Sequence, residues 1–343
     1  MRWNRWLVML LLATLLTASK PATATIVPAL DVPSLTREAG LIVVGQATSV
    51  REEERGNYEI RGQMMPARRM VVELRVDRVM KGEAGATVAF RFFSTDQFVG
   101  YKEVVASQFG MFFLRPASES ILLASPYYPS IVAAQEVCAT EGDDLARVTA
   151  ELACVLHSTA MTIRGRAEAI SALATVKTAK ADSALKRAAQ ELPEPLSLLA
   201  ASVMLSRNDI SMLPLLEETL QHSSKLVVQD VGYSTQWNAA LALEGIKDKA
   251  AIPALARLLE SQEVETRRGA AQALRHIGTE AALEPLSKAL YDGDWEVRWK
   301  AVMGLAGIVG ADSWYPAYDS FKQDEQRYLN HWREWAQQRT GKR

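Results

Sequence analysis

The stretch EVETRRGAAQALRHIGTEAALEPLSKAL, residues 263–290, decides how the second half of the chain is read. Aligning AALALEGI (239–246), GAAQALRHIG (269–278) and KAVMGLAGIVG (300–310) places Leu243, Leu274 and Leu305 at intervals of 31, with Ile246, Ile277 and Ile308 in step. A second set follows at the same interval: Ile252, Leu283 and Trp314, then Leu259, Leu290 and Phe321. A period that governs two successive apolar segments marks a repeating helix pair, not one recurring helix. Arg267 and Arg298 keep the period too, and Gln236 holds the preceding place.

The period extends backwards. Leu173 to Met204 is 31, as is Ala184 to Leu215, whereas Met212 to Ile252 is 40, so an insertion is expected near Lys225 to Thr235. About five helix pairs are predicted over residues 161–323, followed by a terminal helix over 324–343. The pattern of residues 263–290 resembles HEAT repeats, in particular the short bacterial type also seen in phycobilin lyase proteins. The resemblance covers nearly half the chain and implies stacked pairs with an extended surface that binds proteins or peptides. One pair alone cannot bury its apolar face, but stacked neighbours do, each buried Leu or Ile contributing roughly 1.5 to 3 kcal/mol.

The first half follows a different period. Residues 41–124 read as short strands: LIVVGQATSV, MVVELRVDRVM, ATVAFRFF, FGMFFLRP and ILLAS. Val72, Leu74 and Val76 alternate with Glu73, Arg75 and Asp77, giving one buried and one wet face. Lys81, Gly82 and Glu83 supply a turn, and the polar run Arg51 to Arg69 is expected to form a long hairpin loop with Glu52, Glu53 and Glu54 at a solvated tip. Five short strands suit a small barrel, since closure removes exposed edges. The runs DVPSLTREAGLIVVGQATSV, VELRVDRVMKGEAGATVAFRF and FGMFFLRP resemble the bacterial relatives of the tissue-inhibitor-of-metalloproteinase and netrin-like modules. That resemblance implies an oligonucleotide/oligosaccharide-binding-type barrel over residues 25–135. Eukaryotic inhibitors of this kind chelate the protease zinc through an N-terminal cysteine. Here no cysteine precedes Cys138, so that mechanism has no residue to carry over. The fold class read from the whole is α+β in two domains: a small antiparallel, OB-like β-barrel, then an all-α HEAT-like solenoid.

The opening residues set an expected compartment. Arg2 and Arg5 precede an apolar run from Trp6 to Leu16, and Ala22, Thr23 and Ala24 form a small-residue cleavage pattern, as in an export signal cut after Ala24. A secreted or periplasmic chain follows. Losing Arg2, Arg5 and Lys20 leaves 36 basic against 40 acidic residues, a balance that gives neither nucleic acid nor an anionic membrane an electrostatic handle. In an oxidising compartment Cys138 and Cys154 are expected to pair, bracing the joint at residues 136–160.

Motifs for chemistry are missing. His157, His222, His276 and His331 form no i, i+4 pair, and the strings HExxH, GxSxG, GxxxxGK[ST] and GxGxxG do not occur. No metal or cofactor is expected, and Glu141, Asp143 and Asp144 read as helix-start capping. The unusual composition is aromatic: five of the six tryptophans beyond residue 24 are Trp295, Trp299, Trp314, Trp332 and Trp335. They read as a cap sealing the last repeat or as a platform for a peptide or glycan, with Tyr233 of the insertion a further candidate contact. The function expected is non-catalytic protein binding or scaffolding. Protease inhibition through the barrel and an unrecognised hydrolase are the alternatives.

Overall fold

The computed structural model describes residues 29–98, 100–117, 120–138, 141–222, 227–228 and 233–340. The export-signal pattern and most of the insertion, including Leu226 and Val231, lie outside the described residues. Five strands form the N-terminal sheet: β1 (Leu41–Ile60), β2 (Gln63–Lys81), β3 (Thr87–Ser94), β4 (Phe109–Ala117) and β5 (Ser120–Leu123). The hydrogen-bonded order β1-β2-β3-β5-β4 closes on itself, because β1 pairs with both β2 and β4. The strands turn Val43, Val72, Leu74, Phe90, Phe112 and Leu114 into one buried cluster. Gly45 allows β1 and β2 to approach, since a Cβ there would run into the Arg75 carbonyl.

The run Arg51 to Arg69 is not a loop. β1 and β2 continue as a two-stranded ribbon, with Glu54 opposite Arg69 and Ile60 opposite Gln63. The ribbon closes in a two-residue turn at Arg61 and Gly62, both in the left-handed region at φ 55° and 75°. Strand periodicity is faint there because Glu52 to Asn57 are polar on both faces and only the far end of the ribbon has a buried side. Charges cross it instead: Glu53 lies 2.8 Å from Arg91 and 3.0 Å from Arg69, which hold its carboxyl well down, at about 2. Ile60, Met65 and Ala67 make a separate small core, with Tyr58, Phe93, Phe98 and Tyr101 packed around it.

The other face of the sheet belongs to the helices. Ile42, Val44, Met80, Met111 and Phe113 pack into the same buried cluster as Val32 and Leu35 of α1 (Val32–Glu38) and Val148, Leu152 and Val155 of α2 (Asp144–His157). Although α1 precedes the sheet, the Val32 N–H donates to Thr175 Oγ1 on the helical side at 3.1 Å. Asp143 caps α2, accepting from the Ala146 N–H at 2.8 Å. Cys138 and Cys154 are disulfide-bonded across the joint, their Cα atoms 6.1 Å apart. A closed loop of this length contributes about 3 kcal/mol. Replacing both cysteines by alanine is expected to lower the urea midpoint accordingly, and an unchanged midpoint would refute the brace.

Five helix pairs follow: α3 (Ile163–Ala174) with α4 (Ala179–Glu191), α5 (Leu196–Ser206) with α6 (Leu213–Gln221), α7 (Thr235–Leu243) with α8 (Ile252–Leu258), α9 (Val264–Ile277) with α10 (Leu283–Ala289), and α11 (Trp295–Val309) with α12 (Tyr318–Gln323). A two-residue ribbon, β6 (Val227–Val228) with β7 (Tyr233–Ser234), precedes α7, and α13 (Glu325–Thr340) closes the array. Thr162, Thr178 and Asp294 cap α3, α4 and α11 with side-chain oxygens. The recurring arginines bind the turns between pairs. Arg267 donates to the Ser261 and Gln262 carbonyls and pairs with Asp292, while Arg298 donates to the Asp292 and Gly293 carbonyls and pairs with Glu325. The first helices pack closely on one another, α9 lying against both α7 and α11.

Candidate functional site

From α6 onward the second helices are short, and their stacking leaves grooves. Leu283 and Leu286 anchor α10 in the core, which turns Glu284, Lys288 and Tyr291 outward at i, i+4 and i+7 along one stripe. Between α10 and α13 lies an open groove of about 680 Å³, lined by Glu280, Leu283, Ser287, Arg333, Gln337 and Arg339 together with that stripe. Between α8 and α10 lies a second, of about 430 Å³, lined by Ile252, Arg257, Leu259, Glu260, Pro285 and Asp292. Glu284, Lys288 and Tyr291 line both, so the stripe is a ridge shared by two adjoining grooves.

Tyr291 is the prominent feature of that ridge, with 61% of its surface exposed. Arg333 of α13 places its guanidinium 4.5 Å from the Tyr291 ring centre and donates to the Leu290 carbonyl at 2.7 Å, so the ring is held from one side. Arg257 is braced by Glu217 at 2.8 Å, which raises its pKa further above the ordinary value. Cations at 257, 288, 333 and 339 are matched by carboxylates at 260, 280, 284 and 292, so neither groove carries a single-signed field. An apolar floor, an exposed tyrosine, a positioned arginine and mixed charge are the makings of a polypeptide contact surface. Among the described residues no three His, Cys, Asp or Glu side chains converge as a metal-binding group, and no helix is long and apolar enough to cross a membrane.

The tryptophans do not form a flat platform. Trp332 is fully buried, its indole N–H donating to the Trp314 carbonyl at 3.4 Å, so it belongs to the core and not to a surface. Trp295 and Trp299 meet Tyr318 edge-on, with centroids 5.2 and 5.6 Å apart, and Trp335 meets Trp332 in the same way at 5.4 Å. Trp314 stacks on His331 at 3.6 Å, and burial pushes that imidazole below its ordinary pKa. Cations cover further ring faces: Lys322 lies over Trp295 and Arg327 over Trp314. Edge-on contacts of this kind are a favoured way for aromatic rings to pack on one another. Tyr233 lies in β7, and its side chain is outside the described residues. The groove residues Tyr291 and Arg333 were missed as a pair because they are 42 positions apart and share no sequence period.

Residues 228–306 match the family model described as HEAT repeats. The match takes in α7 to α10 and most of α11, and the helix pairs over that stretch are HEAT-like. Among solved structures, an engineered protein is 24% identical with a TM-score of 0.32, covering 49% of this chain and 81% of that one. A second engineered protein is 24% identical with a TM-score of 0.34, covering 56% of this chain and 59% of its own. Human deoxyhypusine hydroxylase, solved in complex with glycerol, is 20% identical with a TM-score of 0.24, covering 56% of this chain and 73% of its own. No curated protein matches. The HEAT match takes in α8 and α10, so both helices that flank the smaller groove belong to the matched repeats.

Proposed function

We propose that this chain is an exported, non-catalytic scaffold that holds a protein partner against the second helices of its HEAT-like repeats. The observation that carries the reading is the pair of adjoining grooves sharing the Glu284–Lys288–Tyr291 ridge. HEAT repeats typically serve protein interactions, and a repeat surface gathers contact area from several pairs at once. Export is supported by Arg2, Arg5 and the apolar run before Ala24, with cleavage proposed after that residue. For the sheet, the resemblance in residues 31–130 supports an oligonucleotide/oligosaccharide-binding-type barrel.

The test is affinity capture from the native envelope with the protein beside Tyr291→Ala and Arg333→Ala variants, each captured protein then being measured by titration. An exposed aromatic anchor of this kind is worth about 2 kcal/mol or more, roughly a thirtyfold loss of affinity. Partners bound equally well by both variants would exclude the grooves.

A further inference from the structure

A separate cleft of about 230 Å³ lies on the other helix layer, among α7, α9 and α11. Its walls differ in kind. Trp237 and Leu241, one helical turn apart on α7, are 53% and 55% exposed and form an apolar side. Facing them are Glu244, Glu265 and Glu296, with Lys300 and Arg268 between.

The charges do not cancel. Arg268 is held in a two-point pair by Asp294, at 2.8 and 2.9 Å, leaving weaker contacts of 3.2 Å to Glu265 and 3.3 Å to Glu296. Lys300 lies 3.4 Å from Glu244 and 3.3 Å from Glu296, longer than the 2.7 to 2.9 Å of a tight charged pair. Setting aside the Arg268–Asp294 pair, three carboxylates share one ammonium, an excess of two negative charges.

The repeat makes Lys300 unusual. The interval of 31 places it where the preceding pair has Gly269, whose missing side chain lets α9 lie against the Ala240 carbonyl and Leu243. At the equivalent point in α11 a lysine side chain only 8% exposed reaches back to Glu244, in the turn just after α7. Burying an ammonium costs several kcal/mol before pairing and is a weak source of stability. A departure from the repeat's own pattern is the kind of place where a functional site is expected.

We propose that this cleft docks an arginine or lysine side chain projecting from a partner protein, with its cation among Glu244, Glu265 and Glu296 and its aliphatic stem against Trp237 and Leu241. A long basic side chain has the required two-part chemistry, and an exposed indole adds cation–π attraction. The volume lies below the roughly 300 to 1,000 Å³ of pockets that enclose a whole small molecule, and suits a single side chain. The site is independent of the grooves on the second helices, and Tyr291→Ala leaves it intact.

The experiment is fluorine NMR of the 5-fluorotryptophan-labelled protein, with the Trp237 signal assigned by Trp237→Phe. The probe is acetyl-Gly-Arg-Gly-amide, compared with acetyl-Gly-Gln-Gly-amide and with putrescine. A saturable shift of the Trp237 signal with the arginine peptide alone is expected. It weakens with added salt and falls roughly tenfold in affinity in Glu244→Gln/Glu265→Gln, whose fold is checked by an unchanged pattern of the other tryptophan signals. An equal response to the glutamine peptide, no saturable response to millimolar arginine peptide, or undiminished binding by the double variant overturns the proposal. Tighter binding of putrescine reassigns the cleft to free amines, and a concentration-dependent shift without peptide reassigns it to a second copy of the chain; either overturns the assignment to a partner protein.

Discussion

Glu151→Gln lowers the unfolding free energy by about 3 to 5 kcal/mol, the loss incurred when one member of a buried ion pair is removed. Glu151 is fully buried on α2 and Arg78, on β2, is 10% exposed. The carboxylate accepts from Arg78 Nε at 3.1 Å, from Arg78 Nη2, and from the Ala134 N–H at 2.8 Å, while the same Nη2 donates to the Ala134 carbonyl at 2.6 Å. Sheet, joint and helices therefore meet in one network. The glutamine keeps the shape but leaves the buried guanidinium without its paired carboxylate. Urea denaturation followed by circular dichroism measures the loss, and a value under about 1 kcal/mol would show that water reaches the pair. Arg78→Met/Glu151→Leu is expected to recover most of the stability, because apolar replacement removes both desolvation costs.

Trp332→Ala costs about 3 to 5 kcal/mol, as expected for deleting a large, completely buried aromatic ring. Its neighbours Leu329 and Phe321 are also buried, and Trp335 packs edge-on against it, so the void opens beneath α13. The damage is expected to be unequal along the chain. Hydrogen exchange should quicken in α11, α12 and α13 while α3 to α5 keep their protection, since each pair rests chiefly on its neighbours. Uniform loss of protection would mean that the array opens only as a whole. Trp295→Ala, at a half-buried position, is expected to cost less.

What the sequence revealed depended on whether a contact is periodic. Leu243, Leu274 and Leu305 exposed the helix pairs because each occupies the same buried position, fully covered in all three copies. The alternation of Val72 and Leu74 with Glu73 and Arg75 disclosed β2 for the same reason. The outer ribbon was hidden, since Glu52 to Glu59 pair through backbone hydrogen bonds without a common apolar face. Aromatic residues exposed a different limit. Composition marked the five tryptophans, but only the structure separates Trp332 in the core from Trp295 and Trp299 against Tyr318. The grooves and the acidic cleft join residues from several helices, and no spacing along one segment announces them.

The two ends of the helical array are closed by unlike materials. At one end the outer sheet residues Ile42, Val44 and Phe113 cover α2; at the other, Trp332 and Phe321 are sealed beneath α13. Neither end presents the surface that an internal pair offers its neighbour. A further helix pair could stack on either face only by displacing the sheet or α13, so each end of the array is held by contacts that differ from those between its pairs.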